Sequence, residues 1–207
     1  MDHCVWCDAE LASRVSWHEI FGLVKRDMLC AACRNGLASL PEPLCTICGR
    51  TLLDLDESFR HDGDLCYDCF RWESGGWRGV LLQNRSLYRY NDFLQKVIAH
   101  FKYRGDVAMV SGFEKDWVRL YEKHFSGKVV VPIPLSKERL YERGFNQAFE
   151  LARLLPAKIC TGLSRVVHEQ KQSKKTRDQR LYLERPVFRL SESSSEMTGK
   201  DVVLADD

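Results

Sequence analysis

No stretch of the sequence is apolar for long enough to cross a bilayer, and no secretory h-region opens it. Those absences argue against a membrane-spanning or exported chain and set the expectation of a cytoplasmic one. Charge of one sign is also lacking. The formal net charge of +2 is too small to imply a nucleic-acid partner, so any such case must rest on local patches. Nor is the chain short of apolar residues. With 44% hydrophobic and 29% charged residues it has an ordinary globular composition, which excludes wholesale disorder. Its 207 residues suit one ordinary domain plus a small one.

What the sequence has in excess is cysteine, nine residues in all. Eight fall into CxxC pairs: Cys4/Cys7, Cys30/Cys33, Cys45/Cys48 and Cys66/Cys69. In a chain with no export signal that pattern favours metal over disulfides. Each pair can form a knuckle, and two knuckles complete a tetrahedral Cys4 zinc site. The Cys45–Cys69 set has the usual spacing and the Cys4–Cys33 set a longer loop. Sequential and cross-braced pairings are both open at this level. Complete sets of four ligands leave no open position, so two structural Zn2+ ions are expected rather than a catalytic one. Redox-active CxxC is the weaker reading, because none of the pairs sits in a thioredoxin-like βαβ pattern. His3, His18 and His61 are expected to be bystanders. The acid-rich stretch from Asp54 to Asp68 would repel phosphate, which favours a structural or protein-contact role for this region. Gly75, Gly76 and Gly79 mark a boundary, giving a zinc-binding module over 1–78 and a second domain over 79–207.

After the boundary, residues 81–90 read as a strand or ribbon. Asp92 is placed to cap a helix with Phe93, Leu94, Val97, Ile98 and Phe101 on one face. Lys102 and Arg104 in its last turn are explained by the helix dipole and solvent. A second helix is expected over Val107–Phe125. The run Val129–Ile133 has the β-branched composition of a strand buried on both faces, and Pro132 and Pro134 then stop its pairing. A polar loop, Ser136–Arg143, carries Lys137, Arg139 and Arg143. Gly144 relaxes the backbone and Asn146 is placed to cap the next helix. Strand, basic loop and helix start form the kind of anion site that α/β folds place beyond strand ends. Cys160 reads as a buried small hydrophobe. Residues 168–180 are basic without apolar periodicity and read as a solvated loop. Leu181–Leu190 alternates like a returning strand, and 191–199 reads as a polar linker. Val202–Leu204 suits a parallel strand ending in Asp206 and Asp207.

The segments VPIPLSKERLYERGFNQA, LLQNRSLYRYND, HFKYRGD, EQKQSKKTRDQR and DVVLADD, with the paired knuckles before them, resemble the ComF/ComFC competence proteins over essentially the whole chain. That family has the type I phosphoribosyltransferase fold. The resemblance implies an α/β architecture: a zinc-ribbon-like module followed by a parallel sheet with flanking helices. It implies that Ser136, Lys137, Arg139, Arg143, Gly144 and Asn146 bind the pyrophosphate of phosphoribosyl pyrophosphate, with Mg2+ as cofactor. Lys174, Lys175, Arg177 and Gln179 would belong to a loop that closes over the site, with Arg177 catalytic. Asp206 and Asp207 would hold the ribose hydroxyls. In the family a threonine- and glycine-rich phosphate loop follows DVVLADD, whereas this sequence stops at Asp207, so a phosphoribosyltransferase domain incomplete at its C-terminus and lacking transferase (glycosyltransferase) activity is the expectation.

Two functional classes follow. One is a ComFC-like, phosphoribosyltransferase-fold protein supporting DNA uptake or processing in natural transformation. The other is a zinc-stabilised adaptor or single-stranded nucleic-acid binder without transferase activity, in which the basic residues of 137–143 and 165–180 track a strand. Candidate partners are therefore phosphoribosyl pyrophosphate, single-stranded DNA and proteins of the DNA-uptake machinery.

Overall fold

The computed structural model describes residues 3–11, 21, 27–103, 105–166 and 186–207. They form a mixed helix-and-strand structure that divides into two compact units, Ala31–Gln95 and Met1–Cys30 with Lys96–Asp207. Among the described residues no helix is long and apolar enough to cross a membrane.

In the first unit, helix α1 (Ala31–Gly36) precedes a short antiparallel pair, β1 (Arg60–His61) and β2 (Leu65–Cys66), and then helix α2 (Tyr67–Glu73). So few regular residues cannot close a core by themselves. The buried centre is Cys45, Leu52, Cys66 and Cys69, flanked by Ile47, Leu55 and Leu65. Residues 81–90 do not form the expected strand. Their polar groups go instead to the cysteine turn: Asn84 donates to Ile47 O and, through Nδ2, to Cys48 O at 3.0 Å, and Arg85 Nη1 donates to Thr46 O at 3.0 Å. Arg89 N–H donates to Ala38 O and its guanidinium pairs with Asp54 at 2.9 Å. The Asn84 and Arg89 N–H groups, committed in this way, cannot also pair in a ladder.

Helix α3 (Asp92–Tyr103) begins one residue later than its cap. Asn91 Oδ1 accepts the Leu94 N–H at 2.8 Å, so Asn91, and not Asp92, is the capping residue. Leu94, Val97 and Phe101 are buried, as their spacing requires.

The second unit is built on β3 (Val129–Pro132), every residue of which is buried. It pairs in parallel with β6 (Val202–Ala205), in the register Val129↔Val202 to Pro132↔Ala205. On its other edge Val130 N–H donates to Lys158 O, and Val130 O accepts from Cys160 N–H, both at 2.9 Å. The two-residue period sorts the side chains. Val130 faces Tyr121, Ala152, Leu155 and Ala205, while Val129 and Val131 face Cys160, Leu163 and Met197. Pro132 is tolerated as the last strand residue, and pairing runs one step further through Ile133 N–H to Ala205 O.

The single helix expected over 107–125 is two elements: a 3-10 segment, Val107–Phe113, and helix α4 (Glu114–Phe125). Tight packing at Gly112 explains the break. Trp6 donates its indole N–H to Met109 O at 2.9 Å and packs on Phe113, and a Cβ on Gly112 would lie 2.6 Å from the indole. Helices α5 (Lys137–Arg143) and α6 (Gln147–Arg153) follow β3. Strands β4 (Leu163–Arg165) and β5 (Phe188–Leu190) pair antiparallel, as the returning-strand reading of 181–190 requires for its described part. The expected linker 191–199 contains a 3-10 segment, Glu192–Met197, packed against Gly162.

Gly112→Val is expected to cost about 1–3 kcal/mol through overpacking against Trp6. Thermal melts followed by tryptophan fluorescence should show it, with Gly76→Val, which meets nothing within 4 Å, as the silent control.

Candidate metal centres and strand-end site

The first and third cysteine pairs make the same turn. Cys4 N–H donates to Ala9 O and Asp8 N–H to Cys4 O; Cys45 N–H donates to Arg50 O and Gly49 N–H to Cys45 O, all at 2.8–2.9 Å. Each turn is closed by a bridge, His3↔Glu10 and Leu44↔Thr51, and each puts the residue after its second cysteine at positive φ, Asp8 at 61° and Gly49 at 68°. The second and fourth pairs match too: Cys30 and Cys66 directly precede α1 and α2, and Cys33 and Cys69 lie in the first helical turn. The zinc-site sequence is thus an internal repeat, with HCVWCDAE answering LCTICGRT, a signal that cysteine spacing alone does not reveal.

The pairing is sequential. Cys4, Cys7, Cys30 and Cys33 form one group and Cys45, Cys48, Cys66 and Cys69 the other, with all sulfurs of a group within 4.8 Å of one another. Cys7 and Cys30 Sγ are 3.5 Å apart, Cys48 and Cys66 Sγ 3.7 Å. Sulfurs bound at ~2.3 Å to a tetrahedral zinc stand about 3.8 Å apart, so either group could hold the ion with little rearrangement. Burial opposes ionisation of Cys45, but the N–H groups of Cys66, Cys48 and Ile47 outweigh it and lower its pKa to about 7. Cys4 is likewise lowered to about 7, against its burial, by N–H groups of Cys30, Trp6 and Cys7. Burial raises Cys69 and Cys66, and neighbouring thiols, Cys48 among them, raise them further. One thiol of each four-cysteine group is therefore ready to ionise, while Cys66 and Cys69 must be deprotonated by the metal.

The second candidate site lies at the carboxyl ends of β3 and β6. The expected polar loop 136–143 is helix α5. It holds no glycine or proline, its residues favour helix, and buried Ser136 caps it by accepting the Arg139 N–H at 3.3 Å. Gly144 ends it at φ 80°, donating to Leu140 O. Asn146 caps α6 as expected, accepting from Ala148 N–H at 3.0 Å, and its Nδ2 donates to Ile133 O at 3.0 Å. Lys137 is exposed and Arg139 half-buried. Arg143 donates to Gln147 Oε1 at 2.8 Å and lies 5.9 Å over the Tyr103 ring.

Asp206 and Asp207 leave β6 beside Ile133, and Lys102 Nζ pairs with Asp207 Oδ2 at 2.9 Å, the two side chains 24% and 11% exposed. Lys102 is therefore the partner of an acidic group and not merely a solvated helix end. Nothing in local spacing reveals an ion pair between residues so far apart in sequence. Partial burial and the adjacent Asp207 raise the Asp206 pKa, offset in part by Lys102 and Arg165. The last turn of α3 thus touches each part of the site: Phe101 meets Phe145, Lys102 meets Asp207 and Tyr103 meets Arg143. Lys174, Lys175, Arg177 and Gln179 lie outside the described residues. Cys160 is buried, as expected for a small hydrophobe.

Metal analysis should find about two zinc equivalents per chain, and Cys66→Ser should remove one. Because binding expels protons from raised thiols, zinc should be released as pH falls. A second pH effect concerns Asp206. A raised carboxyl contributes stability below its unfolded pKa that is lost as pH rises through the folded value. Asp206→Asn should therefore melt higher than the parent near neutral pH, and the advantage should vanish on acidification.

No family model matches the chain, and no solved structure matches it. Two curated relatives do. It is 37% identical to competence protein ComFC of Bacillus subtilis (strain 168) over 207 residues, 99% of this chain and 81% of that protein. It is 26% identical to competence protein ComFC of Streptococcus pneumoniae (strain ATCC BAA-255 / R6) over 205 residues, 99% of this chain and 86% of that one. With such identity sustained along nearly its whole length, the chain belongs to the ComFC competence protein family.

Proposed function

We propose that this chain is a competence protein of natural transformation in which two structural zinc ions support an α/β unit that binds phosphoribosyl pyrophosphate, as its Mg2+ complex, at the carboxyl ends of β3 and β6. The names of the relatives support the competence role. One observation carries the ligand reading: the acidic pair and the basic groups, drawn from α3, α5 and β6, meet at one set of strand ends. Such ends are where parallel α/β sheets take ligands.

The residue types suit the chemistry. Loss of pyrophosphate from C1 of the ribose builds positive charge on the sugar and negative charge on the leaving group. Asp206 and Asp207 would accept hydrogen bonds from the ribose hydroxyls and stabilise the sugar cation. Arg143, with Lys137 and Arg139 on the same helix, would stabilise the departing pyrophosphate through charge-assisted hydrogen bonds. Mg2+, when bound, would share that negative charge. Lys102, paired with Asp207 at 2.9 Å, would hold that carboxylate in place before the ligand arrives.

Calorimetry on the full-length protein should detect Mg2+–phosphoribosyl pyrophosphate, and Arg143→Ala or the pair Asp206→Asn/Asp207→Asn should weaken it at least about tenfold, the loss of one or two charge-assisted bonds. The same carboxylate variants should lower transformation frequency in the host strain. Unaltered ligand affinity in these variants would remove the site. If single-stranded DNA binds with a steep salt dependence and the pyrophosphate does not bind, the protein is a nucleic-acid binder instead.

A further inference from the structure

Gln147 is the most anomalous buried group among the described residues. It is 1% exposed and opens α6, one residue beyond the capping Asn146. Its Oε1 accepts from Arg143 Nη1 at 2.8 Å, which fixes the amide orientation, since the guanidinium can only donate. Its Nε2 has no hydrogen-bond partner among the described residues. A buried amide nitrogen without a partner is unfavourable, and an apolar side chain of the same length would fill the position without that penalty. Stability alone does not account for glutamine here.

The neighbour on its other end does. Arg143 is half-buried and held between two groups, the Gln147 amide oxygen and the face of Tyr103, with its carbon 5.9 Å from the ring centroid. A guanidinium recognises an anion well only when its plane is fixed, because two parallel N–H groups must point at two oxygens. Tyr103 supplies a face but no directional bond. Gln147 supplies the bond that sets rotation within that plane. Asn146 cannot take this part, since its oxygen caps α6 and its nitrogen is tethered to Ile133 O.

We infer that Gln147 is a positioning residue that aims Arg143 at a phosphate-type anion, acting through Arg143 and not by contact of its own. This rests on the ligand reading above and names the device by which that site is pre-organised.

The test uses Gln147→Met, which keeps length and volume and removes both polar ends. Affinity for Mg2+–pyrophosphate, measured by calorimetry, should fall about tenfold, the worth of one charge-assisted contact. The melting temperature should hold or rise by about 2–4 °C as the unpartnered nitrogen is removed. In an Arg143→Ala background Gln147→Met should change affinity no further, because the two act as one unit. An equal loss in both backgrounds, or no loss in either, would overturn the inference. A readout without ligand is the order parameter of the Arg143 side-chain Nε–H by NMR, which should drop in Gln147→Met. An Arg143 side chain equally ordered in parent and variant would also overturn it. If the parent binds no pyrophosphate but Arg143 still loosens in the variant, the ligand reading fails and the positioning role stands.

Discussion

The burial of Val129, Val130 and Val131 on both faces is the constraint on which the second unit depends. A strand covered from both sides has no tolerance for slippage, since a shift of one residue would exchange the Tyr121–Ala152 face for the Cys160–Met197 face. The fixed register carries forward to the strand ends. Pairing of Val131 with Leu204 and of Pro132 with Ala205 decides that Asp206 emerges beside Ile133, and the Ile133 carbonyl in turn anchors Asn146. Core packing and ligand geometry are therefore one problem here. The valines have no chemistry, yet they determine which polar groups stand together.

The sequence displayed the parts of this structure that depend on near neighbours. Four CxxC pairs announce metal because thiolate spacing is a local property, and the central strand announces itself through β-branched continuity. The Asn146 cap was legible for the same reason. Departures arose where distant residues decide. The strand expected over 81–90 became a strap because its hydrogen bonds go back to a turn that precedes it by many residues. The helix expected over 107–125 is interrupted because Trp6, from the far end of the chain, occupies the space over Gly112. At Lys102 the helix dipole is a local effect, while its ion-pair partner is the distant Asp207. The error at 136–143 differs in kind. The charge of that segment suggests a loop, yet SKERLYER carries a serine cap and good helix formers.

Electrostatics at the strand ends shows why a nearly neutral protein can still hold charged groups tightly. Burial raises the Asp206 pKa, repulsion from Asp207 raises it further, and Lys102 relieves part of that repulsion. Arg143 lies on the other side of the same helix turn, over Tyr103. The site is balanced locally, so the small net charge of the chain says nothing about the strength of its field at this point.

The repeated cysteine turns differ in one respect with consequences for sequence drift. Both need a left-handed residue after the second cysteine, but Asp8 turns its side chain to solvent, 93% exposed, whereas a side chain at residue 49 would run into the Asn84 carbonyl oxygen. Residue 8 answers to backbone conformation and to an exposed contact with His3 Nδ1 at 3.3 Å, with no steric limit of the kind at residue 49, so asparagine, aspartate or glycine can be accommodated there. Residue 49 answers to conformation and to space, and glycine alone meets both. A side chain tolerated at residue 8 is thus excluded at residue 49, and the two copies of the turn do not accept the same substitutions.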